Sequence, residues 1–231
     1  MRKILVFTVL LALLPVTPAF ADWQAGLDAY NRGDFATAFR QWKPIAEVGY
    51  AHSQFSLGWM YDFGKGVEQD YQVAIKWYRL AAEQGFDRAQ FNLALIYRNG
   101  KGVEKDYRVA ARWYRLAAEQ GHARAQQDMG VMYLDGKGVT RDFKAAARWF
   151  SKAAEQGNLN AQNNLGHMYQ QGYGVAQDYI RAYLWFDIAA SQGVNLAKAN
   201  LKNINRRMNS ADASKAQELA RECMAKKYQG C

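Results

Sequence analysis

Apolar residues recur at helical spacing in pairs of short segments along most of the chain. In one such pair, the first segment carries Ala89, Leu93 and Tyr97. Residues four apart lie on one face of an α-helix, so this face would contact a neighbouring helix. The second segment repeats the pattern with Ala110 and Tyr114. The spacing predicts two amphipathic helices joined by a turn.

The turn between these helices reads NGKGVEKDY. We predict helices from about 89 to 98 and from about 107 to 120. Gly100 and Gly102 are typical of a helix end followed by a tight turn, because glycine tolerates positive φ. Asp106 is placed to cap the second helix, since its carboxylate can accept the free backbone N–H groups of the first helical turn.

This helix–turn–helix unit recurs with a fixed period of 36 residues. The tyrosine before the turn shows it, returning at Tyr61, Tyr97, Tyr133 and Tyr169. A period of this size indicates an all-α solenoid, in which each unit buries its apolar face only against its neighbours. The predicted units are residues 51–86, 87–122, 123–158 and 159–194.

Both ends of the array depart from the repeat, as capping units should. Residues 22–50 keep Asp34 and Ala38 in phase with the later units but have a shorter turn, which predicts an N-terminal capping helix pair. Residues 195–231 predict two C-terminal capping helices, the last of them capped by Ser210. The apolar stripe of that last helix is predicted to contain Ala216, Leu219, Ala220 and Cys223.

The first 21 residues have the pattern of a secretory signal peptide. Arg2 and Lys3 precede an apolar run over residues 4–14, and small residues lead up to a cleavage point after Ala21. The run is too short for a membrane anchor, because a spanning helix needs about 20 apolar residues. We therefore expect an exported protein, periplasmic or secreted, that does not span a membrane after cleavage.

The charge of the chain bears on its partners. Lys and Arg number 30 against 21 Asp and Glu, which gives a net charge of +9. Loss of Arg2 and Lys3 with the predicted signal peptide would lower it to +7. This balance is moderately basic and well short of a nucleic-acid footprint. We expect a protein or peptide partner, or an anionic envelope polymer, and no nucleic acid.

Cysteine and histidine residues suggest a disulfide and no metal site. Cys223 and Cys231 are the two cysteines, and in an oxidising compartment such a pair is typical of a disulfide, here joining the tail to the last helix. Two free thiols are the alternative. His52, His122 and His167 lack a second ligand at metal-binding spacing, so no metal or cofactor is expected.

Nothing in the sequence forms a catalytic constellation. The Gly-Lys-Gly triplet of the turn is not a phosphate loop, because a Walker motif needs a hydroxyl residue after its lysine and lies between a strand and a helix. Repeated carboxylates with the same structural role are poor candidates for an acid and a base, which need different environments. We therefore expect a protein that is not an enzyme. The recurring aspartates, which are predicted helix caps, are Asp70, Asp106, Asp142 and Asp178.

The shared residues resemble a known family. The four units follow A-x-x-x-L-G-x-x-Y-x-x-G-K-G-V-x-x-D-[YF]-x-x-A-x-x-W-[YF]-x-x-A-A-x-x-G, with Ser53, Ala94, Met129 and Tyr173 as departures. This pattern is similar to the Sel1-like repeat, a relative of the tetratricopeptide repeat with a longer inter-helix turn. The resemblance implies a right-handed α/α superhelix that acts as a protein-interaction scaffold or adaptor in the bacterial cell envelope.

Positions that differ between the repeats are the candidate binding residues. Core and turn positions must be shared for the units to stack, whereas a recognition surface need not be. By resemblance to tetratricopeptide arrays, the varying first-helix positions would line a concave groove for a partner segment. The residues chosen are Phe55, Trp59, Asp62, Phe91, Leu95, Arg98, Val131, Leu134 and His167. The aromatic members are typical partner anchors; the alternative is that they only cover the N-terminal cap.

A second candidate surface is a basic ladder on the second helices, formed by Lys76, Arg79, Arg112, Arg115 and Arg148. Stacked units would align these side chains into a stripe that attracts an anionic polymer or that is simply solvated.

Two rival functions follow from these features. One is recognition of peptidoglycan or another glycan through the basic ladder. The other is β-lactamase or penicillin-binding activity, which the resemblance implies for secreted, cysteine-rich members. Those members carry a cysteine pair in each unit, which this chain lacks, and the chain has no S-x-x-K motif.

Overall fold

The computed structural model describes the backbone of residues 18–231 and the side chains of residues 23–231. Residues 1–17 of the predicted signal peptide lie outside the described residues, and residues 18–21 begin the first helix. The helices are α1 (Pro18–Asn31), α2 (Phe35–Glu47), α3 (Ala51–Phe63), α4 (Tyr71–Glu83), α5 (Asp87–Asn99), α6 (Tyr107–Glu119), α7 (Ala123–Asp135), α8 (Phe143–Glu155), α9 (Leu159–Gln171), α10 (Tyr179–Ser191), α11 (Asn195–Asn205) and α12 (Ser210–Ala225).

Residues 18–231 form helices and no strand, which confirms the all-α prediction. The helices pair in chain order, and each pair packs on the next to build a solenoid. First helices also contact the first helices of neighbouring units, as α7 does with α9 and α9 with α11. They therefore form one layer of the solenoid. No helix in the described part of the chain is both long and apolar enough to cross a membrane.

The turn chemistry explains where the helices begin and end. Asp106 accepts hydrogen bonds from the backbone N–H groups of Arg108 at 2.8 Å and Val109 at 2.9 Å, which satisfies the free donors of α6. Gly100 ends α5 in the left-handed conformation at φ 72°. The cap of α12 is a correction to the prediction: it is Asn209 rather than Ser210, and its side chain accepts from the Asp212 N–H at 2.8 Å.

Each repeat buries one aromatic ring at an equivalent position of its second helix. The rings are Tyr78, Tyr114, Phe150 and Phe186, all fully buried. Three of them lie on a first-helix glycine; a Cβ added to Gly58, for example, would lie 2.6 Å from the Tyr78 ring. Helix pairs therefore approach closely at a glycine or alanine, and the ring fills the space beside it.

A buried glutamine, bonded to an exposed one, ties successive repeats together. Gln126 is 4% exposed; its Nε2 donates to the Ala118 carbonyl at 3.0 Å, and its Oε1 accepts from Gln156 Nε2 at 2.7 Å. Gln54 and Gln90 do the same in the two preceding repeats. Glutamine stands at both positions in all four units, so this link between repeats can be recognised from the periodic pattern.

The C-terminal cap packs on the last repeat. Helix α12 lies against α10, and Ala216, Ala220 and Cys223 of its predicted stripe are buried, with Leu219 partly buried. The Sγ atoms of Cys223 and Cys231 are 2.02 Å apart, so the predicted disulfide is present and holds the tail against α12.

Candidate functional site

Two adjoining hollows on the first helices form one groove at the N-terminal end of the array. Their volumes are about 290 and 520 Å³, and both are lined by Phe55, Trp59 and Arg88. We call this surface the aromatic groove and define it by Phe55, Trp59, Arg88, Phe91, His122 and Arg124. The structure therefore brings together the three aromatic residues that the sequence analysis selected.

Each phenylalanine of the groove is wedged between two rings. The centroid of Phe55 lies 5.8 Å from that of Tyr78 and 5.2 Å from that of Phe86. Phe91 repeats the arrangement 36 residues later, 5.7 Å from Tyr114 and stacked 4.6 Å from His122. Both phenylalanines remain half-buried. Such rings are held in place before any partner arrives, so binding costs little side-chain entropy.

Trp59 contacts the N-terminal cap and also lines the groove. Its ring lies edge-on to Tyr30 at 5.3 Å and packs on Phe63 at 5.0 Å, and it is half-buried. Trp59 therefore covers the N-terminal cap and also remains available as a wall of the groove.

Asp62 corrects the predicted groove. It is only 6% exposed, because it lies at the junction between two repeats. Its Oδ1 pairs with Lys101 Nζ at 3.3 Å, and its Oδ2 accepts from the Tyr78 hydroxyl at 3.4 Å. The Tyr78 hydroxyl in turn accepts from Asn92 at 3.1 Å. Asp62 therefore binds its own neighbouring repeat and is not open to a partner.

Arg98 has the equivalent role in the following repeat, with the charges reversed. Its Nη1 is 3.1 Å from Asp128 Oδ1, and its guanidinium lies 5.7 Å from the Tyr114 ring. Asp128 is the counterpart of Asn92. Burial raises the pKa of Asp128, although the charge of Arg98 opposes that shift. The residue at the position of Asp62 and Arg98 therefore differs between repeats because it pairs with a different residue of the next repeat.

The remaining predicted groove residues lie further along the first helices. Leu95, Val131 and Leu134 are half-buried and pack against the core of their own and neighbouring repeats. Val131 and Arg98 also line a separate hollow of about 220 Å³. His167 is half-buried, 6.0 Å from the Tyr173 ring. The structure therefore does not join these residues to the aromatic groove.

Two arginines of the groove were missed in the sequence analysis. Arg88 and Arg124 are exposed and occupy equivalent positions of successive repeats. Neither forms an ion pair within 4.0 Å among residues 23–231. The column that contains them reads His52, Arg88, Arg124 and Asn160. It varies between repeats, so the criterion already applied to the first helices would have found it.

Only some residues of the predicted basic ladder are free. Arg79 donates to the Tyr97 hydroxyl at 2.9 Å, and Arg115 donates to the Tyr133 hydroxyl at 3.0 Å, so both connect a second helix to the next repeat. Within residues 23–231, the exposed members without such a bond are Lys76, Arg112 and Arg148. In the fourth repeat the same position is Leu184, buried under α12. The described residues contain no cluster of three side chains suited to a metal ion.

Acidification is expected to destabilise the array through its histidines. Burial lowers the pKa of His52, His122 and His167 below the ordinary value of 6.5, with Arg88 adding to the effect at His52. As the pH falls below 6.5, the unfolded chain takes up these protons before the folded chain does, so the free energy of unfolding falls. We expect a lower melting temperature at about pH 5.5 than at about pH 7.5 in circular dichroism melts.

The variant His122→Gln should reduce that difference, because its side chain does not titrate. Equal melting temperatures at the two pH values, or a difference unchanged in His122→Gln, would contradict this account.

Comparisons with known proteins agree with the fold. A family model described as the Sel1 repeat matches residues 51–86, 87–122, 123–158 and 159–194. A crystal structure of a Sel1 repeat protein from Oxalobacter formigenes is similar, with 36% identity and a TM-score of 0.75 over 78% of this chain and 74% of that chain. The comparison with curated protein sequences gave no match.

Two further structures are similar over most of this chain. One is c5321, a protective antigen present in uropathogenic Escherichia coli strains and displaying an SLR fold. It has 29% identity and a TM-score of 0.60 over 91% of this chain and 54% of that chain. The other, a putative Sel1 repeat protein from Klebsiella pneumoniae subsp. pneumoniae, has 20% identity and a TM-score of 0.51 over 81% and 93% of the two chains, and shows the fold alone.

Proposed function

The chain belongs to the Sel1 repeat family, and from this premise we propose that it is an exported adaptor that holds a partner protein in its aromatic groove. Sel1 repeat proteins are generally protein-interaction scaffolds, and the fold is typically non-catalytic. The observation that carries the proposal is the set of wedged, half-buried rings of Phe55, Trp59 and Phe91 around two joined hollows. Such rings are the usual anchors of protein interfaces.

The lining of the aromatic groove indicates the chemistry of the partner segment. Its apolar portion would fill the hollows between the rings, where water is displaced from an apolar surface. Arg88 and Arg124 are exposed at the same groove, and among residues 23–231 no carboxylate lies within 4.0 Å of either. Arginine pairs well with carboxylates through parallel hydrogen bonds. The occupant is therefore a segment with an aromatic or aliphatic anchor beside acidic residues.

The proposed location is the periplasm or the outside of a bacterial cell. Two observations support it: the signal-peptide pattern over residues 1–21 and the pairing of Cys223 with Cys231. Disulfides of this kind persist in oxidising compartments.

The test is crosslinking in living cells followed by recovery of bound proteins. Arg88→Glu/Arg124→Glu reverses two exposed charges, so it should leave the fold intact. Phe55→Ala/Phe91→Ala removes two anchors. Both variants should recover the specific partner at least tenfold less well than the wild type, since each anchor is worth about 1–2 kcal/mol or more.

The matched control is Leu116→Ala/Leu196→Ala, which trims two exposed side chains outside the groove. It should recover the partner as the wild type does. The proposal fails if both groove variants retain the partner at the wild-type level while circular dichroism shows that they are folded.

A further inference from the structure

A second kind of groove lies where the end of α2 meets α4. It has a volume of about 610 Å³ and is formed by Ala46 to Gly49 together with Trp77, Leu80 and Glu83. We call it the first junction groove. It shares no lining residue with the aromatic groove, so a ligand there would be bound independently.

The fourth repeat contains the equivalent groove, three periods of 36 residues further along the chain. Ala154 and Glu155 correspond to Ala46 and Glu47, Trp185 corresponds to Trp77, and Ile188 corresponds to Leu80. The lining therefore corresponds at these positions and differs at Val48 and Glu83, whose counterparts are Gln156 and Ser191.

At the fourth repeat the chain fills this groove with its own tail. Met224, Tyr228 and Cys231 pack in one cluster with Trp185 and Ile188. Gln229 Nε2 donates to the Glu155 carbonyl at 2.9 Å, and the Tyr228 ring lies over Gly157, the counterpart of Gly49. The tail thus shows which kind of segment this groove accommodates: an aromatic side chain at a tight turn.

The same apolar positions are covered at one end and open at the other. Ile188 is fully buried, whereas its counterpart Leu80 is 45% exposed. Trp185 is 2% exposed, whereas Trp77 is only half-buried. Val48 at the rim of the first junction groove is 81% exposed. This end of the array therefore leaves apolar surface open that the other end covers.

Charge distinguishes the open groove from the filled one. Glu47 and Glu83 flank the first junction groove, where the filled groove has Glu155 and Ser191. Lys43 lies 4.0 Å from Glu47, but both side chains are more than half exposed, and such pairs contribute little. The open groove therefore presents one more carboxylate to its occupant, which favours a basic segment.

We propose that the first junction groove binds a partner segment with an aromatic side chain beside basic residues. The chain's own tail has this chemistry, because Lys226 and Lys227 precede Tyr228. The tail of a second copy is a poorer occupant, since it is already docked on α10 and its release would expose Ile188. The occupant is therefore a different protein.

The experiment uses a synthetic peptide of residues 222–231, oxidised between the positions of Cys223 and Cys231, as a mimic of such a segment. Its binding to the full chain is followed by fluorescence anisotropy of a dye on the peptide. We expect saturable binding that Leu80→Glu weakens at least tenfold, because the carboxylate would enter the apolar floor of the groove. A peptide with Tyr228→Ala should bind at least tenfold more weakly.

Matched variants separate this proposal from the others. Leu196→Glu changes a leucine that is 62% exposed outside the groove and should leave peptide binding unchanged. Glu47→Lys/Glu83→Lys should weaken binding and reduce its dependence on salt. Arg88→Glu/Arg124→Glu should bind the peptide as the wild type does, so failure of the aromatic groove and failure of this proposal give different results.

Two results would overturn the proposal. One is the absence of peptide binding, or binding that Leu80→Glu does not change. The other is self-association of the wild-type chain in sedimentation velocity that Leu80→Glu abolishes, because the occupant would then be a second copy.

Discussion

Replacing Gly138 with alanine is expected to lower the free energy of unfolding by about 2–5 kcal/mol. Gly138 is the second glycine of its turn and has φ +72°. A non-glycine residue in this conformation costs about 1–2 kcal/mol. A Cβ there would also overlap the backbone carbonyl of Tyr107, the first residue of α6. Relieving this overlap requires the turn and the preceding repeat to move apart, at a further cost of about 1–3 kcal/mol.

Gly121→Ala is the matched control for this prediction. Gly121 also has positive φ, at +93°, but no atom of the described residues lies within 4 Å of a Cβ built on it. Its replacement should cost only the conformational contribution, about 1–2 kcal/mol. Urea denaturation followed by circular dichroism measures both variants. Equal losses in the two would show that the close approach of the turn to α6 contributes nothing.

The turn illustrates how much of the fold the sequence could predict. Helix caps and positive φ are local requirements, so Asp106 and Gly100 reveal their roles from residue type and position alone. The close approach of Gly138 to Tyr107 is different, because those residues are brought together only by stacking of the repeats. The 36-residue period shows that this glycine recurs. Positive φ is one reason for it, and the close packing of the turn against the preceding repeat is the other.

The groove was predicted less completely, for a related reason. A position that varies between repeats can face a partner or a neighbouring repeat, and the sequence of one unit does not distinguish the two. Phe55 and Phe91 line the aromatic groove, whereas Asp62 and Arg98 pair across junctions. The ion-pair partner of Arg98 is Asp128, 30 residues further along. Comparing positions 30 residues apart would have paired Arg98 with Asp128, whereas Asp62 pairs with Lys101, 39 residues further along.

At the C-terminal cap, comparing the same position in successive repeats does predict a contact. Helix α8 carries Arg148 and Lys152 on its outer face, and α10 has Leu184 and Ile188 at the same positions. Polar residues in one repeat and apolar residues in the next predict that something covers α10. In the structure it is α12. The position of Leu184 is Lys76, Arg112 and Arg148 in the preceding repeats, so its loss of charge in the last unit is a readable sign of a capping helix.

The double variant Leu184→Arg/Ile188→Lys is expected to release α12 from the array. It gives α10 the residues that α8 tolerates at the same positions, so α10 itself should still form. Leu184 is 3% exposed and Ile188 fully buried. Removing two such side chains from an apolar contact costs about 1.5–3 kcal/mol each, and the introduced charges cannot remain buried without partners. The docking of α12 should therefore lose about 3–6 kcal/mol.

Hydrogen exchange tests this locally, because it reports the opening of each segment separately. Protection should disappear over residues 210–225 in the double variant and persist in α3 to α8, since each unit of a solenoid depends only on its neighbours. Leu196→Arg, at a position that is 62% exposed, should leave α12 protected. Wild-type protection of α12 in the double variant would refute the inferred docking. Loss of protection throughout the array would instead show that the cap stabilises every repeat. That result would contradict a solenoid in which each unit depends only on its neighbours.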